Sequence, residues 1–306
     1  MKQAFNVVLA SLLYIFMLSG CTALGEEITE FDKSVAKTTK TISCIYSNVD
    51  KFRRGMEIQA AKYKSFESLA SIDAEGSPTS ITTRYSSDYI AVRVQAVQAL
   101  AKYADELAKL QGSDAPKEVA DDVKDIGDKV KDISANIGSL AGNTKLDASK
   151  YVGPISNLAA VCMQTYLEYK RKKMIRDSLL KAQDPIHKIC DALSEDIENV
   201  YQNDYINSVN NCRVKAIQYW NSHGKDLSLE EKTIVLNDLQ KFSDDYFDLK
   251  AADPCHSINS IKTGLDDLVN QIQNHKTKAE QATLARINAQ KFSITAERSL
   301  QITSRL

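Results

Sequence analysis

Apolar residues recur at intervals of three and four along most of the chain, and this spacing predicts long amphipathic helices. The clearest seam starts at Ile28 and continues to Ala70, interrupted only by Thr38 and Gln59. Alternating Val, Ile and Thr runs, which are typical of strands, do not occur. Pro and Gly are scarce, with 5 and 11 copies in 306 residues, so few turns are expected. We therefore predict an all-α fold.

Turn and capping residues divide the chain into about seven predicted helices, several of which are about 35 to 45 residues long. The predicted helices cover approximately 27–70, 88–110, 116–140, 147–183, 185–222, 228–250 and 255–299. Asp88 is the predicted N-cap of the second helix, and Asp184-Pro185 is a predicted break before the fifth. Ser228-Leu229-Glu230-Glu231 is a predicted capping box that opens the sixth. Because short connections place consecutive helices antiparallel, we expect an elongated antiparallel bundle with coiled-coil-like seams. Residues 27–306 form one domain in this interpretation, with 27–142 and 147–306 as candidate sub-bundles.

The N-terminus carries an apolar run from Val7 to Leu18. A run of about a dozen residues is too short to cross a membrane as a helix but suits the apolar part of a secretory signal. It ends in Leu18-Ser19-Gly20-Cys21, which resembles the lipobox of bacterial lipoproteins. The resemblance implies a signal peptide over 1–20, lipidation of Cys21, and a short tether over 21–26 that leads into the helical domain.

The lipobox also implies a location. Thr22, rather than Asp, follows the cysteine, and in Gram-negative lipoproteins this implies sorting to the outer membrane. We expect a lipid anchor on the periplasmic face of that membrane, or on the cell membrane if the source is not Gram-negative. Several acyl chains on Cys21 suffice for stable anchoring.

Composition and motifs argue against two classes of function. Lys and Arg number 39 against 40 Asp and Glu, whereas a general nucleic-acid binder is expected to be basic. Signature motifs of zinc proteases, serine hydrolases, dinucleotide-binding proteins and nucleotide triphosphatases are missing. We therefore expect no enzyme, no cofactor and no nucleic-acid partner.

Five cysteines remain besides Cys21, and an exported protein permits disulfides. Cys190 and Cys212 lie about 33 Å apart on one predicted helix, so they cannot pair. Cys255 opens the last helix at the level where the helix of Cys190 begins. We predict the bridges Cys190–Cys255 and Cys162–Cys212, with Cys44 left as a buried free thiol.

A metal site is an alternative use of the same region. His187 and Cys190 share one helical face, and Cys255-His256 would lie beside them. Two Cys and two His can hold tetrahedral zinc. Adjacent residues rarely both ligate one metal, however, and an oxidising compartment favours the bridge, so the disulfide is preferred.

The densest basic run is Lys170-Arg171-Lys172-Lys173, followed by Arg176. Such a patch suits anionic lipid head groups or an acidic partner. The alternative is a solvated helix face, which is the commoner meaning of a charge run within a helix.

These patterns favour a membrane-anchored, non-enzymatic lipoprotein that binds or scaffolds another envelope protein. The alternatives are an immunity or exclusion lipoprotein that neutralises a toxin or phage protein, and a metal- or ligand-binding periplasmic protein. A homodimer is a further expectation, because coiled-coil seams also close between chains.

Overall fold

The computed structural model describes part of the chain in full and part through the backbone alone. The described residues are 2–63, 84–112, 131–132, 135, 149–165 and 171–274. Within them, the side chains of 2–24, 26, 110–112, 149, 162–165, 171–174, 271 and 274 are outside the description. The predicted helix over 116–140, the candidate boundary between sub-bundles near 142–147, and the predicted helical residues from 275 onward lie largely outside it.

Every regular element in the described part is helical, which confirms the all-α prediction. The α-helices are α1 (Lys2–Ala61), α2 (Ser87–Gly112), α3 (Ser149–Thr165), α4 (Arg171–Val200), α5 (Asn207–His223), α6 (Leu229–Ala251) and α7 (Pro254–Asn274). A π-helical turn, Tyr201–Ile206, joins α4 to α5. No described helix has a stretch both long and apolar enough to cross a membrane.

The heptad seam predicted for the first helix is buried in α1. Its members between residues 28 and 52 are at most 7% exposed: Ile28, Phe31, Val35, Ile42, Ile45, Val49 and Phe52. Helix α1 packs against α2, α5, α7 and the π turn, so it contributes to most of the core. The backbone of residues 21–26, the expected tether, is helical and continuous with the rest of α1.

Two helix starts show how local side chains set the boundaries. Ser86 accepts a hydrogen bond from the Tyr89 backbone N–H at 3.1 Å, so Ser86 caps α2 rather than the predicted Asp88. At α6 the predicted capping box is confirmed: Ser228 Oγ accepts from the Glu231 N–H, and the Glu231 carboxylate accepts from the Ser228 N–H.

The predicted break at Asp184-Pro185 is wrong. Helix α4 continues through Pro185 to Val200, although a proline inside a helix removes one hydrogen bond and costs about 3 kcal/mol. Pro185 and Ile186 are both buried, and α4 packs against α3, α2 and α7. The stabilisation from burying this part of α4 against several helices outweighs the free energy that the proline costs.

Helix α7 approaches α1 closely at Gly264. A Cβ atom at this position would lie 3.1 Å from the ring of Phe31, which is tighter than an ordinary contact. Helix α6 lies at the other side of the bundle, where it packs on α5 and on the π turn. The α5–α6 hairpin therefore has one face on the core and one face turned outward.

Candidate functional site

An ion pair between a buried arginine and a half-buried aspartate joins α2 to α4. The Arg93 side chain is 4% exposed, and its guanidinium makes two hydrogen bonds to the carboxylate of Asp196, one of them, from Nη2, at 2.9 Å. The same carboxylate accepts from the hydroxyls of Tyr46 at 3.0 Å and Tyr89 at 3.1 Å. The Arg93 guanidinium also stacks 3.3 Å from the centroid of the Tyr89 ring. Forked hydrogen bonds and stacking of this kind fix the arginine in one position.

A second carboxylate, Asp204, lies in the π turn and is fully buried. It accepts hydrogen bonds from Arg84 Nη1 at 2.9 Å and from the Tyr85 hydroxyl. Asp50 of α1 accepts from the backbone N–H groups of Arg84 and Tyr85 at 3.1 and 3.3 Å. Asp50 and Asp204 therefore hold the residues that lead into α2, and Asp196 holds α2 itself through Tyr89 and Arg93.

The π turn follows from the spacing of the buried residues. Leu193, Ile197, Tyr201, Tyr205 and Val209 are all buried at steps of four. In an α-helix each such step turns the buried stripe by about 40°, so four steps would rotate it by roughly 160°. The wider π turn takes up part of this rotation. It thereby keeps Tyr201 and Tyr205 on the inward side, where their hydroxyls donate to the carbonyls of Leu249 and Ile45.

The hydroxyls that donate to Asp196 and Asp204 stay protonated. Together these groups form a tyrosine–carboxylate cluster, whose members are Tyr46, Tyr85, Tyr89, Arg84, Arg93, Asp196 and Asp204. Burial, followed by the charge of Asp196, raises the pKa of Tyr46 and Tyr89. Burial and the hydrogen bond to Asp204 raise the pKa of Tyr85. Burial disfavours the charged form of Arg93, but its hydrogen bonds to Asp196 outweigh this and raise its pKa.

The cluster holds helices together and brings no reactive group to a free position. Each of its hydroxyls already donates to a carboxylate, and a neutral tyrosine is a poor base. Sequence reasoning missed the cluster because its partners lie far apart in the chain. Tyr46 and Asp196, for example, are 150 positions apart.

The predicted Cys190–Cys255 bridge is not formed: Cys44, Cys190, Cys212 and Cys255 are free thiols. Cys255 Sγ lies 3.6 Å from the carbonyl oxygen of Ser194, about one helical turn beyond Cys190, which is itself fully buried. A disulfide requires closer Cβ atoms than this offset places them.

The other predicted bridge, Cys162–Cys212, also receives no support. Cys212 Sγ donates to the carbonyl of Met56 in α1 at 3.0 Å, while the side chain of Cys162 lies outside the description. Cys44 is half-buried rather than buried, and Asn48 Nδ2 donates to its sulfur at 3.2 Å.

The residues of the alternative zinc site take separate partners. His187 Nε2 lies 2.9 Å from Asp266 Oδ1, across from α4 to α7. The His256 side chain is exposed, and its backbone N–H donates to Asp253. Within the described residues, no three His, Cys, Asp or Glu side chains are placed to hold a metal ion.

The basic patch falls at the start of α4. Arg171, Lys172 and Lys173 form its first turn, Arg176 is exposed, and Lys170 lies outside the described residues. The side chains of residues 171–173 are likewise outside the description. Whether the patch is a binding surface or a solvated face stays a prediction.

A concentrated apolar surface was not anticipated from the sequence. Of the large apolar side chains that are exposed in the described part, all but Ile58 lie on the α5–α6 hairpin. They are Val214, Ile217, Leu229, Ile234, Leu236 and Phe247. Leu229 is 82% exposed and Phe247 62%. Apolar side chains that cluster on one exposed element mark interaction surfaces more often than isolated ones do.

The hairpin sits at the end of α1 that is remote from Cys21. Tyr63, just after α1, donates to Asp238 of α6 at 2.6 Å, and its ring packs on Tyr219 of α5. Gly264 of α7, by contrast, packs near Phe31 in the first half of α1. The exposed apolar surface is therefore presented away from the predicted lipid.

Comparisons with known proteins do not connect this chain to any of them. No family model matches the sequence, and no curated protein or solved structure matches it either.

Proposed function

We propose that this chain is a lipid-anchored bacterial lipoprotein that acts as a non-enzymatic helical binding or scaffolding protein in the cell envelope. The observation that carries the proposal is the concentration of exposed apolar side chains on the α5–α6 hairpin. A folded domain gains stability by burying Leu and Phe, so side chains left in water on one hairpin favour a partner that covers them.

The anchor part of the proposal depends on Cys21. From Cys21 to the end of α1 the helix would extend roughly 60 Å, at about 1.5 Å per residue. A lipid on Cys21 therefore places the hairpin well away from the membrane surface, where a periplasmic partner can reach it. We also propose that the helices run antiparallel with coiled-coil-like seams, which the burial of the α1 seam supports.

A non-enzymatic role is supported by the state of the buried polar groups. The carboxylates of Asp196 and Asp204 accept hydrogen bonds from Arg and Tyr side chains, so they are occupied in holding helices.

The anchor is tested by labelling cells with a fatty acid that carries an alkyne. We expect the label on the wild-type protein and none on Cys21→Ser, with the precursor retained. Cys44→Ser provides the control, because it removes a different thiol and should leave labelling unchanged. A labelled C21S protein would contradict the anchor.

The binding surface is tested by photo-crosslinking in intact envelopes. A photoreactive amino acid at Phe247 is expected to give one adduct of defined mass, and Leu236→Ser in the same chain should abolish it. The matched control carries the photoreactive group at Lys188, which is exposed on α4. Identical adducts from both positions, or none from Phe247, would contradict the proposed surface.

A further inference from the structure

Three of the four exposed large apolar side chains of α6 form one stripe, whereas Ile234 lies about 140° away from it. At about 100° per residue, Leu229, Leu236 and Phe247 fall within roughly 20° of one another around the helix axis. The buried residues of the same helix, Val235, Phe242 and Leu249, lie about 120° to 160° away. Helix α6 therefore has two apolar faces, one in the core and one turned outward.

One flank of the outward stripe is acidic. Glu230, Asp244 and Asp248 lie about 60° to 100° from the stripe on the same side, with Lys241 beside them. All four are exposed, and the three carboxylates make no ion pair within the described residues. This flank carries three negative charges against one positive charge.

The other flank is turned towards α5. Tyr246 lies on it, and its ring is 5.0 Å from the Arg213 guanidinium of α5. Lys250, on the same flank, has its ammonium 5.4 Å from the centroid of the same ring. Lys232 lies at the same angle around the helix as Lys250, so this flank is basic where the opposite flank is acidic.

The charges discriminate between occupants. Two copies of α6 that meet across a two-fold axis, with the helices antiparallel, would place acidic flank against acidic flank, which costs affinity. A parallel pair would need the flank that α5 occupies. An anionic lipid surface would be repelled by the same carboxylates. A helix with an apolar stripe, and with positive charges on the side that faces the acidic flank, is complementary to both the stripe and the carboxylates.

We propose that the outward face of α6 binds a cationic amphipathic helix of a partner protein. This inference rests on the proposed binding function and adds the chemistry of the partner. The partner helix lies along Leu229, Leu236 and Phe247, and its Lys or Arg side chains face Glu230, Asp244 and Asp248. Apolar contact supplies most of the affinity, and the charges supply the selectivity.

The experiment uses the full-length mature chain and two helical peptides of about 20 residues with the same Leu stripe. One peptide carries Lys along the flank that would face Glu230, Asp244 and Asp248, and the other carries Glu along that flank. We expect the Lys peptide to bind at least about tenfold more tightly, because each of several exposed ion pairs contributes a little. Its affinity should fall about tenfold as salt rises from about 50 mM to about 500 mM.

Two variants separate the apolar and charged contributions. Leu236→Ser with Phe247→Ser should weaken both peptides by more than tenfold, because it removes the shared apolar contact. Charge reversal at Glu230, Asp244 and Asp248 to Lys should make the Glu peptide the tighter ligand. The matched control reverses three exposed carboxylates elsewhere, Glu30, Asp184 and Glu198, and should leave the preference unchanged. All altered positions are exposed, so circular dichroism should match the wild type.

The outcomes are distinguishable. Equal binding of the two peptides would overturn the inference about charge but leave the proposed binding function standing. A dimer in sedimentation equilibrium that F247S abolishes, or binding of this face to anionic phospholipid vesicles, would overturn it in favour of another occupant. Absence of peptide binding together with an adduct at Phe247 in envelopes overturns the partner class. Absence of both overturns the proposed function as well.

Discussion

The carboxylate of Asp196 receives hydrogen bonds from three side chains that belong to two other helices, Tyr46 of α1 and Tyr89 and Arg93 of α2. Arg93 is almost fully buried, and a buried cation is tolerated only while its partner is present. This one residue of α4 therefore links both α1 and α2 to α4.

Replacing Asp196 by Ala should lower the free energy of unfolding by about 3 kcal/mol, because it leaves Arg93 buried and without its counter-charge. Urea unfolding followed by circular dichroism measures the change. Asp184→Ala is the control, since its ion pair with Lys188 is exposed and should contribute less than about 0.5 kcal/mol. A loss below about 1 kcal/mol at Asp196 would show that water replaces the pair readily.

The free thiols lead to a second prediction. Burial raises the pKa of Cys212 to about 11 and that of Cys255 to about 12, and it also raises the pKa of Cys190. Near neutral pH these thiols stay protonated, so we expect slow reaction with a disulfide reagent in the native protein.

All four described thiols should react once the chain is unfolded under non-reducing conditions. Peptide mapping after alkylation counts Cys44, Cys190, Cys212 and Cys255 separately. A peptide pair joined through Cys190 and Cys255, lighter by the two hydrogens lost in a disulfide, would contradict the free-thiol structure.

Individual residues also show which contacts can be predicted from the sequence. The capping box at Ser228 and Glu231 was predictable because its two partners are three residues apart, and the structure confirms it. The contacts of Asp196 were not, because they join residues more than a hundred positions apart and neither partner has a local signature. A Tyr or Asp in a helix has the same sequence signal whether it faces water or a buried arginine.

Among the elements, the helices themselves follow from periodicity, whereas their ends depend on the surroundings. The seam of α1 was predictable from Ile28 to Phe52 because apolar spacing reports burial directly. Pro185 misled the prediction, since its local preference for a helix end is outweighed by packing on three neighbouring helices. The π turn arises because the stripe of buried residues rotates around the helix axis. Which residues are buried there is known only once the neighbouring helices are placed.

The capping box at the start of α6 should contribute measurably to stability. Ser228→Ala should lower the free energy of unfolding by about 1 kcal/mol, because the Glu231 N–H loses its acceptor. Thermal unfolding measures it, with Ser222→Ala as the control at an exposed position outside the capping box. The same substitution should weaken the binding of a peptide at Leu229, whose backbone follows the cap directly. Equal stability of S228A and S222A would contradict this prediction.

Across the described residues, buried and half-buried tyrosines connect most of the helices. Burial is the largest cause of the raised pKa values of Tyr46, Tyr63, Tyr85, Tyr89, Tyr201 and Tyr205. Tyr46 lies on α1, Tyr89 on α2, and Tyr201 and Tyr205 in the π turn. A change that affects tyrosine ionisation should therefore affect the fold as a unit.

We expect stability to fall at alkaline pH. In the unfolded chain tyrosine ionises near pH 10, while in the folded chain the raised pKa keeps it neutral. The stabilisation from the neutral hydroxyls is therefore complete below about pH 10 and is lost as pH rises towards the folded pKa values. Absorbance of tyrosinate near 295 nm and helical dichroism should change together. Ionisation of these residues at an ordinary pKa, with the helices intact, would contradict their burial.

The continuity of α1 has a mechanical consequence. From Ile28 onward this helix, which ends at Ala61, packs against α2, α5 and α7. If a pull on a captured partner is resisted by a lipid on Cys21, the load passes along the helix axis. Neighbouring helices must then slide past α1 together rather than separate one contact at a time, so the molecule resists tension in shear.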